Sequence, residues 1–237
     1  PVVLRELDHY LADGSTVHVV VDPAHGAAPE AFDVLDHLAV RVSSADHHDP
    51  DRVRELLETE RPDHVMLLCY RDGLGPAEAD AAALMALLQV RHCLEQWPAD
   101  QRRPSVVAEL LDPRDVALAR VTGADDFVVS ERLTSLLLAQ LSENPALDPV
   151  FGELLDSGGA EITLRPVGRL VDPAAVSAYG DLVRAGIVHG EVVIGFCTRG
   201  GESGQGIVVN PPKSRPVALA AGDEVIVVTR ARVAPPA

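Results

Sequence analysis

The sequence predicts an α/β protein: a Rossmann-like, doubly wound parallel sheet followed by a small α+β lobe. Three observations carry this. Short valine-rich runs alternate with helical runs through the first 130 residues, the pattern of strands joined by crossover helices. Apolar residues make up 47% of the 237 residues and aromatics only 3%. The core is therefore built from Val, Leu, Ile and Ala, which suits helices packed on parallel strands. After Ser130 the order changes to two adjacent helices and then a strand-rich stretch.

Leu4, Leu7 and Leu11 have helical spacing, and Asp13-Gly14 stops that helix. Residues 16–22 read as a strand, 29–38 as a short helix and 38–44 as a second strand. Asp49 is an N-cap with Pro50 at the first helical position; Val53, Leu56 and Leu57 form the apolar stripe and Pro62 ends the helix. Residues 64–70 are continuously apolar enough for a buried strand. A long helix over 78–97, a strand over 105–110, a helix opened by Asp112-Pro113 and a strand over 125–130 follow.

Beyond the first lobe (1–130), residues 131–160 read as a crossover helix pair, 161–230 as the C-terminal lobe and 231–237 as a disordered tail. The first crossover helix carries Leu133, Leu136, Leu137 and Leu141; the second, opened by Asp148-Pro149, carries Val150 and Leu154. Adjacent apolar helices between lobes predict a homodimer interface built on those six side chains, the competing reading being that each packs on its own lobe. The last lobe reads as a strand over 161–167, a helix over 174–185 and strands over 191–198, 206–210 and 223–229.

The net charge of −16 argues against nucleic acid and anionic membrane surfaces as partners. Cys69, Cys93 and Cys197 are odd in number and form no zinc-type spacing, which points to a reducing, cytosolic setting. No run of about 18 apolar residues is present to insert in a membrane. The chain begins at Pro1 rather than Met, so it reads as a fragment or a processed product.

Two sets of residues at strand ends are candidate ligands. Asp22 ends the first strand where an acid would hold a ribose hydroxyl in a dinucleotide site, although no glycine fingerprint precedes it. Asp46, His47 and His48 follow the next strand at the same edge, with His25 near, and could bind a divalent metal. The glycine-rich stretch 200–206 lies between two strands and reads as a hairpin loop, not a phosphate cradle. No nucleophile motif and no acid–base pair are visible, so the chain reads as a regulatory module and not an enzyme.

The segments VVAELLDPR at 106–114, DDFVVS at 125–130 and LLLAQLSE at 136–143 resemble the CASTOR/POLLUX-type ion channels. So do EVVIGF at 191–196, VNPPK at 209–213 and GDEVIV at 222–227. In that family a transmembrane pore is followed by two RCK domains, regulators of K⁺ conductance akin to TrkA, which assemble into a gating ring. The resemblance implies that this chain is the second of the pair, prokaryotic, homo-oligomeric and partnered by an upstream pore at the cytoplasmic face of the cell membrane. It also implies that the first Rossmann strand is absent from this chain, leaving a raw sheet edge. The cofactor stays unknown; calcium or a nucleotide is what the resemblance implies, with no ligand residue carried over. The alternatives are an NAD(P)-dependent oxidoreductase fragment and a separate TrkA-like subunit of a potassium transporter.

Overall fold

The computed structural model describes residues 2–26, 35–121, 126–155, 159–201 and 204–229. Most of the helix expected at 29–38 and the whole 231–237 tail lie outside that set; residues 35–37 are not helical. The chain divides into two compact units, residues 1–145 and 146–237. The stretch 131–160, expected as one crossover, is thus shared between them.

The first unit runs α1 (Val2–Tyr10), β1 (Ser15–Val21), β2 (Leu38–Ser44), α2 (Pro50–Glu60), β3 (His64–Leu67), α3 (Pro76–Glu95), β4 (Ser105–Leu110), α4 (Val116–Val121), β5 (Asp126–Val129) and α5 (Ser130–Glu143). Every strand pair is parallel, as the alternation requires. The strands fall into two hydrogen-bonded sets, β1-β2 and β3-β4-β5. The doubly wound order 3-2-1-4-5-6, without its central strand, leaves such a pair and such a triple. Among the described residues no strand pairs with the outer edge of β1 or of β3.

Local chemistry sets the element ends. Asp49 caps α2 by accepting the Asp51 N–H at 3.0 Å, and Arg61 closes it in the left-handed conformation. Asp8, buried on α1, accepts the backbone N–H groups of Asp36, His37 and Leu38, each at 2.9 Å, and ties α1 to the start of β2. The core of this unit packs Val53 and Leu57 of α2 and Leu87, Val90 and Leu94 of α3 on Val106 and Ala108 of β4. Full burial of Leu87 alone contributes roughly 2 kcal/mol.

β3 stops at Leu67, three residues short of the expected strand. The Cys69 N–H donates to the Glu109 carboxylate at 3.0 Å rather than to a backbone carbonyl of β4, which turns the chain out of the ladder.

The second unit holds α6 (Asp148–Leu155), β6 (Glu161–Pro166), α7 (Val167–Leu170), α8 (Tyr179–Val188), β7 (Val192–Gly201), β8 (Gly204–Val209) and β9 (Glu224–Thr229). Its strands form one antiparallel sheet of order β6-β9-β7-β8. Val167, Tyr179, Leu182, Phe196, Val225 and Val227 fill the space between helices and sheet. The helix expected at 174–185 starts later, at Tyr179. Asp172 instead caps a single turn at Pro173–Ala175, and the Asp181 carboxylate accepts the Ser177 and Ala178 N–H groups at 2.9 Å to start α8. The short α7 was not legible in the sequence. β7 shifts register near Gly195, where a Cβ would lie 2.3 Å from the Val208 carbonyl oxygen, so that crossing needs glycine.

Candidate metal centre

β1 and β2 run parallel in the register Val21↔Ser44, so both release their chains at the same sheet edge. Asp22 follows β1 directly and opens a turn, its carbonyl accepting the His25 and Gly26 N–H groups at 3.0 Å. After β2, the Asp46 carboxylate accepts the His48 N–H at 2.8 Å and folds the chain back just before α2. Those two turns bring Asp22, His25, His47 and His48 together, with one ligand atom from each lying within 4.8 Å of all the others.

Asp22 is buried, with 3% of its side chain exposed, while the three histidines are half-buried. The His47 Nδ1 is 3.0 Å from Asp22 Oδ2, and the His48 Nδ1 is 3.6 Å from the same oxygen. The two adjacent imidazoles lie 4.1 Å apart, and the His25 ring is 5.9 Å from each. Tyr70, beyond β3, backs the group: its ring is 5.5 Å from that of His25, and its hydroxyl accepts the Asp22 N–H at 2.8 Å.

Burial, and next the neighbouring His48, push the His47 imidazole below its ordinary range despite the opposing pull of Asp22. The Asp46 carboxyl is held low chiefly by the His48 N–H bond.

The arrangement differs from the expected ligand set. His47 and His48 are together; Asp46 is not among the four clustered donors, its carboxylate accepting the His48 N–H and lying 3.4 Å from the His48 Nδ1. Asp22, read from sequence as a ribose ligand, has one oxygen bonded to the Ala24 N–H at 2.8 Å and the other facing the histidines. Tyr70 was missed; its only sequence signal is its place at the end of an apolar run.

A second polar cluster sits at the edge of the three-stranded set. Glu109 on β4 accepts the Ser130 hydroxyl at 2.6 Å and the Cys69 N–H, and pairs with Arg71. Burial acts to raise the Glu109 carboxyl, but the bonds from Ser130, Arg71 and Cys69 outweigh it and hold the group below the ordinary glutamate range. Burial, then Asp80 and Glu109, push the Cys69 thiol up to about 12, which favours the protonated form at neutral pH.

The lowered Glu109 group contributes stability that is present above the unfolded glutamate pKa and is lost as pH falls through the folded one. Glu109→Gln is therefore expected to cost about 1–2 kcal/mol in urea unfolding at pH 7. The gap between variant and unaltered chain should close in acid, where the protonated glutamate is nearly isosteric with glutamine. A pH-independent gap would mean the charge is not what stabilises this edge.

The six side chains read as a dimer interface are not buried within the chain. Leu133 and Leu136 on α5 are 52% and 56% exposed, Val150 on α6 is also exposed, and Leu137, Leu141 and Leu154 are half-buried. Neither α5 nor α6 has a buried residue. Among the described residues no helix is long and apolar enough to cross a membrane.

No family model matches the sequence. The chain is homologous to part of several plant ion channels. It is 28% identical over 242 residues to the probable ion channel CASTOR of Oryza sativa subsp. japonica, covering 89% of this chain and 27% of that protein. It is 29% identical over 123 residues to the probable ion channel POLLUX of Arabidopsis thaliana, covering 52% of this chain and 15% of that protein. The chain thus spans about a quarter or less of the length of these relatives. In fold it is similar to the human SLO3 gating ring, with a TM-score of 0.62 at 12% identity over 97% of this chain and 42% of that one.

Proposed function

We propose that this chain, a homologue of part of the CASTOR and POLLUX ion channels, is a regulatory module of the gating-ring type. It acts at the cytoplasmic face of a membrane, assembles with further copies and couples ligand or ion binding to the opening of a cation pore. The observation that supports this most is the reach of the CASTOR match, which spans 89% of the chain and so includes residues of both compact units. The gating-ring fold and the exposed leucines of α5 agree with it.

The physical basis is coupling by differential affinity. A ligand shifts a ring between two arrangements only by as much as it binds one of them more tightly. The module needs a site that spans separately moving elements and a surface that transmits the movement to neighbouring copies. It needs no reacting groups.

Cation flux from liposomes holding the full polypeptide that carries this segment tests the reading. Deleting residues 146–229 is expected to abolish ligand-dependent opening while leaving the pore in the membrane. Gating that survives the deletion unchanged would overturn the assignment.

A further inference from the structure

We propose that Asp22, His25, His47 and His48 bind a first-row transition-metal dication of the zinc class. The inference does not depend on the channel reading and would stand if the chain gated no pore.

The donor set decides the class of metal. Three imidazole nitrogens and one carboxylate oxygen suit zinc, cobalt and nickel, whereas calcium and magnesium take oxygen-rich sets with more ligands. A tetrahedral ion with bonds of roughly 2.0–2.1 Å holds its ligand atoms about 3.3 Å apart. The four atoms here lie within 4.8 Å of one another, and the Asp22–His47 pair is already at 3.0 Å.

Adjacent histidines on a strand would point to opposite faces. His47 and His48 sit in the turn made by Asp46, so their rings lie on one side, inclined by only 35°. The buried carboxylate is the second argument. Asp22 is 3% exposed, and among the described residues it pairs with no Lys or Arg, only with imidazoles. A buried carboxylate without a full positive partner is costly. A dication supplies that charge and takes up the imidazole lone pairs in the same step.

Tyr70 holds the site from behind, packing on His25 and His47 and fixing the Asp22 backbone, the part that outer-shell groups play around metals. Its place beyond β3 gives the site a mechanical consequence. A bound ion joins the loops after β1 and β2 against a residue belonging to the other strand set, across the division in the sheet. Metal occupancy would then stiffen the link between the two sets.

Cobalt(II) titration of the full chain, followed by visible absorption, is the test. The expected result is one ion per chain with the intense d–d bands of a tetrahedral site, displaced by zinc but not by calcium or magnesium. His25→Ala and His47→Ala should each weaken binding about 100-fold or more. Zinc should raise the melting temperature of the unaltered chain but not that of either variant. Among the described residues His25 makes no hydrogen bond through its ring, so its variant is expected to keep the circular dichroism of the parent. Weak octahedral spectra, displacement by calcium, or tight binding and zinc-dependent melting that survive in both variants would overturn the site.

Discussion

Leu133→Asp combined with Leu136→Asp is expected to turn a self-associating chain into a monomer. α5 is a 14-residue helix with no buried residue. A helix of that length with so little tertiary burial is marginal in water. Leu133, Leu136, Leu137 and Leu141 share one face by their spacing, so the face can pack against its own copy across a two-fold axis. Each leucine covered in such a contact contributes roughly 1.5–3 kcal/mol, and a carboxylate there reverses the sign. The dissociation constant should rise at least about 100-fold, equivalent to about 2.7 kcal/mol. Sedimentation velocity over a range of concentrations reads this directly. Leu138, 63% exposed and about 120° away from the middle of the stripe, is the control: Leu138→Asp should leave association intact. A chain that is monomeric throughout, or a double variant that associates like the parent, would remove α5 as the interface.

The exposed leucines also show where reading a sequence reaches its limit. Helical spacing identified the stripe, but spacing alone does not say whether a face meets its own lobe or another copy. Elements closed by local chemistry were legible. Asp49-Pro50 announces α2, and the valine runs announce β1, β2, β4 and β9. Elements closed by long-range partners were not. β3 ends early because Glu109, 40 residues away, takes the Cys69 N–H. α8 starts late because Asp172 first diverts the chain into a separate turn.

The candidate ligand cluster divides in the same way. His47 and His48 are visible as a pair of donors. Asp22 and His25 are expected at the same edge from the strand pattern, and the parallel register of β1 and β2 is what brings their side chains to the pair. Asp46 looked like a ligand because it is acidic and adjacent. Its short side chain reaches the His48 N–H instead, and in doing so it turns both imidazoles to one side.

Tyr179→Ala is expected to unfold the second unit selectively. Tyr179 is the largest fully buried side chain in the chain's described residues. Its ring packs 6.2 Å from that of Phe196, its hydroxyl donates to the Val193 carbonyl at 3.1 Å, and Lys213 places its ammonium 4.4 Å from the ring centre. Truncation leaves a cavity among Val167, Leu182, Val225 and Val227 and should cost about 3–5 kcal/mol. That is a large fraction of the 5–15 kcal/mol available to a typical domain. Tyr179→Phe keeps the packing and loses only the hydrogen bond, at about 1 kcal/mol. Hydrogen exchange separates the two units: amides of β7 and β9 should lose protection in the alanine variant, while those of β4 keep theirs. The compact division of the chain near residue 145 is the reason to expect that split. Equal loss of protection in β4 and β9 would mean that the units unfold as one.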